Sequence, residues 1–215
     1  MEERMAYEPY IEGSNNIVEA GVLIHSNRFR REMAPALKGM ARMFKELKIP
    51  YNVYDENGTF DDVKLLVVEE SARFDEKLEK RLCDYVKNGG KIIFSGAAID
   101  LGKRCGLLDY IDLIGPDPRD NAYYTVEDSD MRWAMYDLSR IIKNVSGKEM
   151  AKYVDNVVNF TWDGRQSCYY RPQGEKTEYS AVVLGENTAC ICFNVFRSYI
   201  DNFLVEHRDL VKGSH

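Results

Sequence analysis

The chain has 215 residues, of which 45% are hydrophobic and 12% aromatic, and this is enough to bury a core of domain size. Its formal net charge is −6, and a mildly acidic surface argues against a broad contact with nucleic acid or an anionic membrane. The sequence has no run of roughly 18 apolar residues and no apolar signal-peptide core. We therefore expect neither nucleic acid nor a membrane as a partner.

The first half of the chain alternates predicted strands and helices. Apolar runs predict strands over 17–24, 51–55, 63–70 and 91–95, and apolar residues at helical spacing predict helices over 33–47 and 75–88. Pro50 ends the first helix, and Gly89-Gly90 ends the second. Strands that alternate with helices predict an α/β fold with a mostly parallel sheet flanked by helices.

The second half, at about 120–196, is richer in aromatic and turn residues and predicts an added antiparallel β segment. Glu186-Asn187 lies between two apolar runs and predicts a hairpin. Ser146-Gly147 predicts another hairpin within 140–154, although the apolar residues there also fit a helix that begins near Met131. Residues 200–211 share a helical face, which predicts a closing C-terminal helix.

Both ends of the sequence predict a piece of a longer polypeptide. Residues 1–16 have the pattern of the tail of a preceding domain and a linker, and the α/β domain itself is predicted over 17–212. Residues 213–215 fit either the end of the last helix or the remnant of an expression tag.

The five cysteines are odd in number and lack the spacing of a disulfide framework, which predicts reduced thiols and a cytoplasmic location. Cys190 and Cys192 lie two apart on a predicted strand without further ligands at metal spacing, so we expect buried thiols there. The sequence also lacks a Gly-rich phosphate loop. We therefore expect no metal and no cofactor.

The turn after the predicted strand 91–95 is where an α/β enzyme can carry a catalytic Cys or Ser. Its apex is Gly96, which has no side chain, and the adjacent Ser95 is expected to point to a face of the sheet. His25 and Glu69, at the ends of two other strands, are the remaining candidate site residues. Glu69 and Glu70 are neighbours on a strand, so we expect them to point to opposite faces rather than act as a pair.

Aromatic residues are concentrated in the second half of the chain. They fit a core or a protein interface, and they also fit a surface on which a sugar ring could stack. The residues are Tyr123, Tyr124, Trp133, Tyr136, Trp162, Tyr169 and Tyr170.

Several motifs carry a resemblance to known families. "VKLLVVEESARFDEKLEKRLCDYVKNGGKIIFSG" resembles the class I glutamine amidotransferase-like (flavodoxin-like) fold, and more closely the trimerisation domain of bacterial β-galactosidases that carry a TIM barrel ahead of it. "YEPYIEGSNNIVEAGVLIHS" resembles the junction between barrel and domain in glycoside hydrolases of a poorly characterised family. "VVNFTWDGRQSCYYRP" and "EYSAVVLGENTACICFNVFRSY" resemble the C-terminal β segment of that family.

The amidotransferase resemblance implies a fold without its activity. The position of the nucleophilic Cys falls on Gly96, and the later His-Pro-Glu stretch falls near Asn194, Val195 and Phe196. In the β-galactosidases this domain holds subunits together and borders the active site of the barrel. The resemblance therefore implies a homo-oligomer, a TIM-barrel domain in the parent chain, and catalytic carboxylates outside these residues.

The favoured interpretation is a non-catalytic amidotransferase-like domain of a glycoside-hydrolase-type protein. It would act in oligomerisation, in shaping the sugar site of a preceding barrel, or in both. One alternative is a small-molecule hydrolase with an unrecognised site at the strand ends, such as His25, Glu69 and Ser95. Another is a carbohydrate-binding module that uses the aromatic half.

Overall fold

The computed structural model describes residues 12–14, 17–24, 34–70, 75–116, 124–127, 132–135, 140–156, 173–202 and 205–213. Its strands are β1 (Ala20–Ile24), β2 (Tyr51–Asp55), β3 (Leu65–Val68), β4 (Lys91–Ser95), β5 (Ile111–Pro116), β6 (Tyr124–Glu127), β7 (Arg132–Met135), β8 (Arg140–Asn144), β9 (Lys148–Asn156), β10 (Gln173–Leu184) and β11 (Thr188–Ile191). Its helices are α1 (Ala34–Leu47), α2 (Glu76–Lys87), α3 (Ala98–Arg104), α4 (Val195–Asn202) and α5 (Val205–Gly213).

One nine-stranded sheet, in the order β2-β1-β3-β4-β11-β10-β9-β6-β7, organises the molecule. The pairs from β2 through β11 are parallel, and the pairs from β11 through β7 are antiparallel. In the parallel part, the strand next to β4 is β11, which comes from near the C-terminal end of the chain. This order, with one strand (β2) on one side of β1 and the other strands on the opposite side, is that of flavodoxin-like folds.

The central parallel strands are apolar at consecutive positions because both of their faces are covered. Leu66, Val67 and Val68 of β3 have no exposed surface, and Ile92, Ile93 and Phe94 of β4 have 1% or less. Helices flank this sheet. The predicted fold class is therefore confirmed, with its mostly parallel sheet, its antiparallel extension and its C-terminal helical closure.

Local sequence explains where α2 begins and ends. The Asp75 side chain accepts a hydrogen bond from the backbone N–H of Leu78, at 3.1 Å, and so caps the first turn. Gly89 follows the helix with a φ of +90°, a conformation in which glycine carries no steric penalty. Between these ends, Leu78, Leu82 and Tyr85 are buried on one face.

Helix α1 packs closely against α4, and Gly39 makes this approach possible. A Cβ atom at Gly39 would lie 1.9 Å from the carbonyl oxygen of Phe196. The Tyr199 hydroxyl of α4 also donates to the Glu46 carboxylate of α1. The end of the chain is thereby fixed to the first helix.

Two details of the second half differ from the expectation. The turn at Ser146-Gly147 exists, and Asn144 closes it with two hydrogen bonds of 2.9 Å to the backbone of Gly147. The strands on either side do not pair with each other, however, because β8 pairs with β5 in a separate two-stranded sheet while β9 pairs with β10 and β6. The turn is thus a corner between two sheets rather than a hairpin.

The predicted hairpin at Glu186-Asn187 is confirmed, with Leu184 opposite Ala189 and Val182 opposite Ile191. The helical segment at the C-terminal end begins earlier than predicted, at Val195, and the structure describes it as α4 and α5. Among the helices that the structure describes, none is both long and apolar enough to cross a membrane.

Candidate functional site

The candidate site lies at the carboxyl ends of β3, β4 and β11, which meet at one edge of the parallel sheet. Glu69-Glu70 follow β3, Gly96 follows β4, and Asn194 lies between β11 and α4. Open α/β sheets bind their ligands outside this edge. The side chains found here therefore decide whether the fold carries chemistry.

Gly96 occupies the apex of the turn between β4 and α3. Its φ is +53°, and its N–H donates to the carbonyl oxygen of Ile191 at 2.8 Å. A Cβ atom at this position would lie 2.2 Å from Oδ1 of Asn194 and 2.7 Å from Cβ of Glu70. The turn keeps the backbone conformation that suits a nucleophile, but neighbouring side chains fill the space that a Cys or Ser would need.

Ser95 has no exposed surface. Its Oγ lies 3.1 Å from Oε2 of Glu70 and 3.2 Å from the carbonyl oxygen of Phe193. A hydroxyl has one proton to donate, so both contacts are satisfied together if a protonated Glu70 donates to Ser95 and Ser95 donates to Phe193. This chain of hydrogen bonds connects β3, β4 and the segment after β11.

Glu70 is the electrostatic centre of the cluster. It is 6% exposed, and its Oε1 accepts the backbone N–H of Arg197, in the first turn of α4, at 2.6 Å. Burial, together with the neighbouring charge of Glu69, raises the pKa of Glu70 to about 8, against the opposing effect of hydrogen bonds from the backbone N–H groups of Arg197 and of Glu70 itself. At neutral pH the carboxyl group is therefore mainly protonated and able to donate to Ser95.

The candidates predicted from the sequence are only partly brought together. Ser95 meets Glu70 rather than Glu69, although Glu69 is itself buried and close enough to raise the pKa of Glu70. His25 lies outside the described residues. The sequence analysis placed Glu70 at the end of a strand and Asn194 near the His-Pro-Glu position, but it predicted neither their contact with the turn at Gly96 nor the hydrogen bond from the N–H of Arg197.

His207 is the one histidine among the described residues, and it packs behind this edge rather than into it. Its ring lies 5.1 Å from that of Phe193, between centroids, and none of its surface is exposed. Burial lowers its pKa to about 4. The imidazole is therefore neutral at pH 7 and belongs to the core.

The thiols of β11 and the segment after it are also buried. Cys190 lies 3.4 Å from the Tyr110 hydroxyl, and burial raises its pKa to about 12. Burial likewise raises the pKa of Cys192. Within the described part of the chain, no group of three or more His, Cys, Asp and Glu side chains could hold a metal ion.

Two cavities formed by described residues lie at the opposite, amino-terminal edge of the sheet. One has a volume of about 780 Å³ and is bordered by Val18, Glu19, Lys64, Tyr85 and Lys91, among others. A second, of about 690 Å³, shares Val18 and extends to Pro50 and Tyr51.

The aromatic residues of the second half cannot be placed at either edge. Tyr123, Tyr136, Trp162, Tyr169 and Tyr170 lie outside the described residues. For Tyr124 in β6 and Trp133 in β7, the structure describes the strands but not the side chains. The sugar-stacking hypothesis therefore stays a prediction.

Comparison with known proteins supports the fold at the level of structure. No protein-family model matches the sequence, and neither does any curated protein. Among solved structures, alpha-L-fucosidase isoenzyme 2 from Paenibacillus thiaminolyticus is similar over 99% of this chain and 34% of its own, with a TM-score of 0.80 and 18% identity. Gan42B, a GH42 beta-galactosidase from G. stearothermophilus, is similar over 98% of this chain and 31% of its own, with a TM-score of 0.66 and 19% identity.

PurLQS from Thermotoga maritima, a glutamine amidotransferase neighbour, is similar over 92% of this chain and 96% of its own, with a TM-score of 0.59 and 12% identity. The chain thus spans about a third of the glycoside hydrolases that it matches and nearly the whole of the PurLQS chain. Its fold is that of an amidotransferase-like α/β domain, and the same fold occurs as one part of larger glycoside hydrolase chains.

Proposed function

We propose that the chain is a non-catalytic, amidotransferase-like accessory domain of a glycoside-hydrolase-type protein. It acts in subunit assembly, in shaping the sugar site of a TIM barrel in the same polypeptide, or in both. The observation that carries the proposal is Gly96, whose Cβ position is filled by Asn194 and Glu70. The fold keeps the turn of an enzyme but has no room there for a nucleophile.

The polar side chains at this edge support a structural role. Glu70 is bonded to the first turn of α4 and to Ser95, and Ser95 is in contact with the carbonyl oxygen of Phe193. A nucleophile must reach its substrate, and a fully buried hydroxyl between two internal partners does not. We therefore interpret the cluster as a set of structural hydrogen bonds that hold β3, β4 and the segment from β11 to α4 together.

Exposed apolar side chains support a role in contacts with other chains or domains. Val53 is 56% exposed on β2, which is the end strand of the sheet next to β1, and Ile17, at the amino-terminal edge, is 82% exposed. An end strand leaves one row of backbone N–H and C=O groups unpaired in the sheet, and these can pair with another chain. The β2 edge is accordingly the first surface to test for assembly.

The catalytic part of the proposal is tested by a turnover assay. The purified chain is incubated with glutamine and with a panel of nitrophenyl glycosides, beside the variant Ser95→Ala. We expect no product above the blank from either protein. Product from the chain that is lost in a correctly folded Ser95→Ala variant would favour the small-molecule hydrolase and contradict the proposal.

The assembly part is tested by light scattering over a concentration series. We expect a dimer or trimer that Val53→Lys dissociates, while Val145→Lys does not. Val145 is a matched control because it is 58% exposed, close to the value for Val53, but lies in the turn between β8 and β9. A monomer at every concentration would remove self-association and leave contact with a barrel as the role.

A further inference from the structure

Two cysteines from different helices meet on the surface of the domain. Cys83 lies in α2, and Cys105 caps the C-terminus of α3; both are partly buried and free. The Cys83 thiol donates to the carbonyl oxygen of Cys105 at 3.2 Å. Burial, the negative charge of a Cys83 thiolate and of Glu79, and a hydrogen bond that the Cys105 thiol donates to Cys83 raise the pKa of Cys105 to about 12. The hydrogen bonds thus place the two thiols beside each other.

An ion pair near the two thiols also links α2 and α3. Nε of Arg104 lies 3.0 Å from Oε1 of Glu79. Glu79 precedes Cys83 by one helical turn, and Arg104 is adjacent to Cys105 in sequence. The ion pair and the hydrogen bond from the Cys83 thiol to the Cys105 carbonyl oxygen thus link the two helices at the same place.

The other described thiols provide a contrast within the same molecule. Cys190 and Cys192 have no exposed surface. Attack on or by a thiol requires access, so these two are expected to be inert. Cys83 and Cys105 are the pair that solvent can reach.

We propose that Cys83 and Cys105 form a dithiol modification site, which a low-molecular-weight disulfide converts reversibly into a disulfide bond between α2 and α3. This site is independent of the accessory role proposed above. Its natural reactant is of the chemical class of oxidised glutathione.

The reaction proceeds by two thiol–disulfide exchanges. The Cys83 thiolate attacks one sulfur of the small disulfide, a mixed disulfide forms, and one small thiolate leaves and takes a proton. The Cys105 thiolate then attacks the Cys83 sulfur, and the second small thiolate leaves and takes the other proton. The protein dithiol loses two electrons, and the small disulfide gains them as it becomes two thiols.

The first exchange prepares the second. Two of the influences that raise the pKa of Cys105 are the negative charge of a Cys83 thiolate and the hydrogen bond that the Cys105 thiol donates to Cys83. Both disappear once Cys83 carries the mixed disulfide. The resolving thiol is thus easier to ionise after Cys83 has reacted than before.

The test uses the full chain with Cys168→Ser, because Cys168 lies outside the described residues. The protein is treated with oxidised glutathione, and the products are measured by intact mass, thiol titration and peptide mapping without reduction. We expect a loss of two thiols, a mass lower by two hydrogen atoms, and a peptide that links Cys83 to Cys105. The melting temperature should rise by roughly 5–10 °C because the cross-link restricts the unfolded chain.

Single variants separate this reaction from general oxidation. In Cys105→Ser, Cys83 should retain a glutathionyl group, since no resolving thiol is present. In Cys83→Ser, Cys105 should stay mainly free, because burial, the largest cause of its raised pKa, persists in this variant. The proposal is overturned if the parent protein keeps all its thiols, if it stops at mixed disulfides, or if the linked peptide involves Cys190 or Cys192.

Discussion

The two edges of the parallel sheet differ in how they are filled. At the carboxyl edge, Gly96 is enclosed by Asn194 and Glu70, and the buried Ser95 lies between two hydrogen-bond partners. At the amino edge, cavities of about 780 and 690 Å³ adjoin Val18. At the carboxyl edge, where this kind of fold normally carries chemistry, described side chains fill the space at Gly96, and the two cavities between described residues lie at the other end of the strands.

The difference between the two edges shows how side chains can fill the place that a nucleophile takes in an enzyme of this fold. When the nucleophile is absent, the pocket around it can be filled by nearby polar groups that bond to one another. Glu70 does this by capping α4 while it contacts Ser95. The same residues that close the edge thus connect β3, β4 and α4.

The largest expected effect comes from Gly96→Ala. The added Cβ would clash with Asn194 and Glu70 and would also strain a residue with positive φ. We expect the free energy of unfolding to fall by about 3 kcal/mol or more, as measured by denaturant titration.

Gly106→Ala is the matched control for this substitution. Gly106 has a φ of +66°, and a Cβ there would meet nothing within 4 Å. Gly106→Ala should lower the free energy of unfolding by about 1 kcal/mol, from backbone strain alone. Equal losses in the two variants would show that the space around Gly96 is not closed.

The second effect concerns His207, whose pKa is lowered by burial to about 4 from an ordinary value of 6.5. Between these values the unfolded chain binds a proton that the folded chain does not, so stability is lost as the pH falls from 6.5 towards 4. We expect wild type to lose on the order of 3 kcal/mol more than His207→Gln over this window, in denaturant titrations at fixed pH. Parallel pH profiles would mean that His207 is accessible to protons in the folded chain.

The effect of Glu70 on the pH dependence of stability should have the opposite sign to that of His207. Its pKa is raised to about 8 from an ordinary value of 4.5, so the stability that it contributes is complete below 4.5 and is lost as the pH rises through 8. Between pH 6.5 and 8 wild type should lose about 2 kcal/mol relative to Glu70→Gln. A constant difference between the two proteins across this window would contradict a protonated Glu70.

The smallest effect is expected at the open edge. Lys91 is exposed and borders the larger cavity, and its backbone N–H, which bonds to the carbonyl oxygen of Lys64, is unaffected by substitution. Lys91→Ala should change the free energy of unfolding by less than about 0.5 kcal/mol. A larger loss would indicate that the amino edge also stabilises the fold.

Local sequence predicted the parallel half of the fold well, because its signals are local. Consecutive apolar residues in β3 and β4 and the glycine after α2 each identify an element without reference to the rest of the chain. The partner of β8 could not be predicted in this way. Ser146-Gly147 specifies a turn, but the choice of sheet for each strand depends on contacts with β5 and β10 that are distant in sequence.

The candidate site, like the fold, could be predicted from the sequence only in part. The missing side chain at Gly96 was visible from the sequence. The resemblance indicated Asn194 at this site, but the contact of its side chain with the Gly96 turn and the hydrogen bond from the Arg197 N–H were not predictable, because they depend on the pairing of β11 with β4. The alternation rule suggested that Glu69 and Glu70 act separately, and it could not indicate which of them would contact Ser95.

The most direct test of whether side chains close the space around Gly96 is a pH titration of the Glu70 side chain. The NMR signal of its carboxyl carbon reports the titration, and Glu70→Gln assigns that signal. We expect a midpoint near 8, because the group is buried, close to Glu69 and bonded internally. A midpoint near the ordinary value of 4.5 would mean that water reaches the carboxyl group. The space around Gly96 would then be open and available for chemistry, which would contradict the non-catalytic role proposed for the domain.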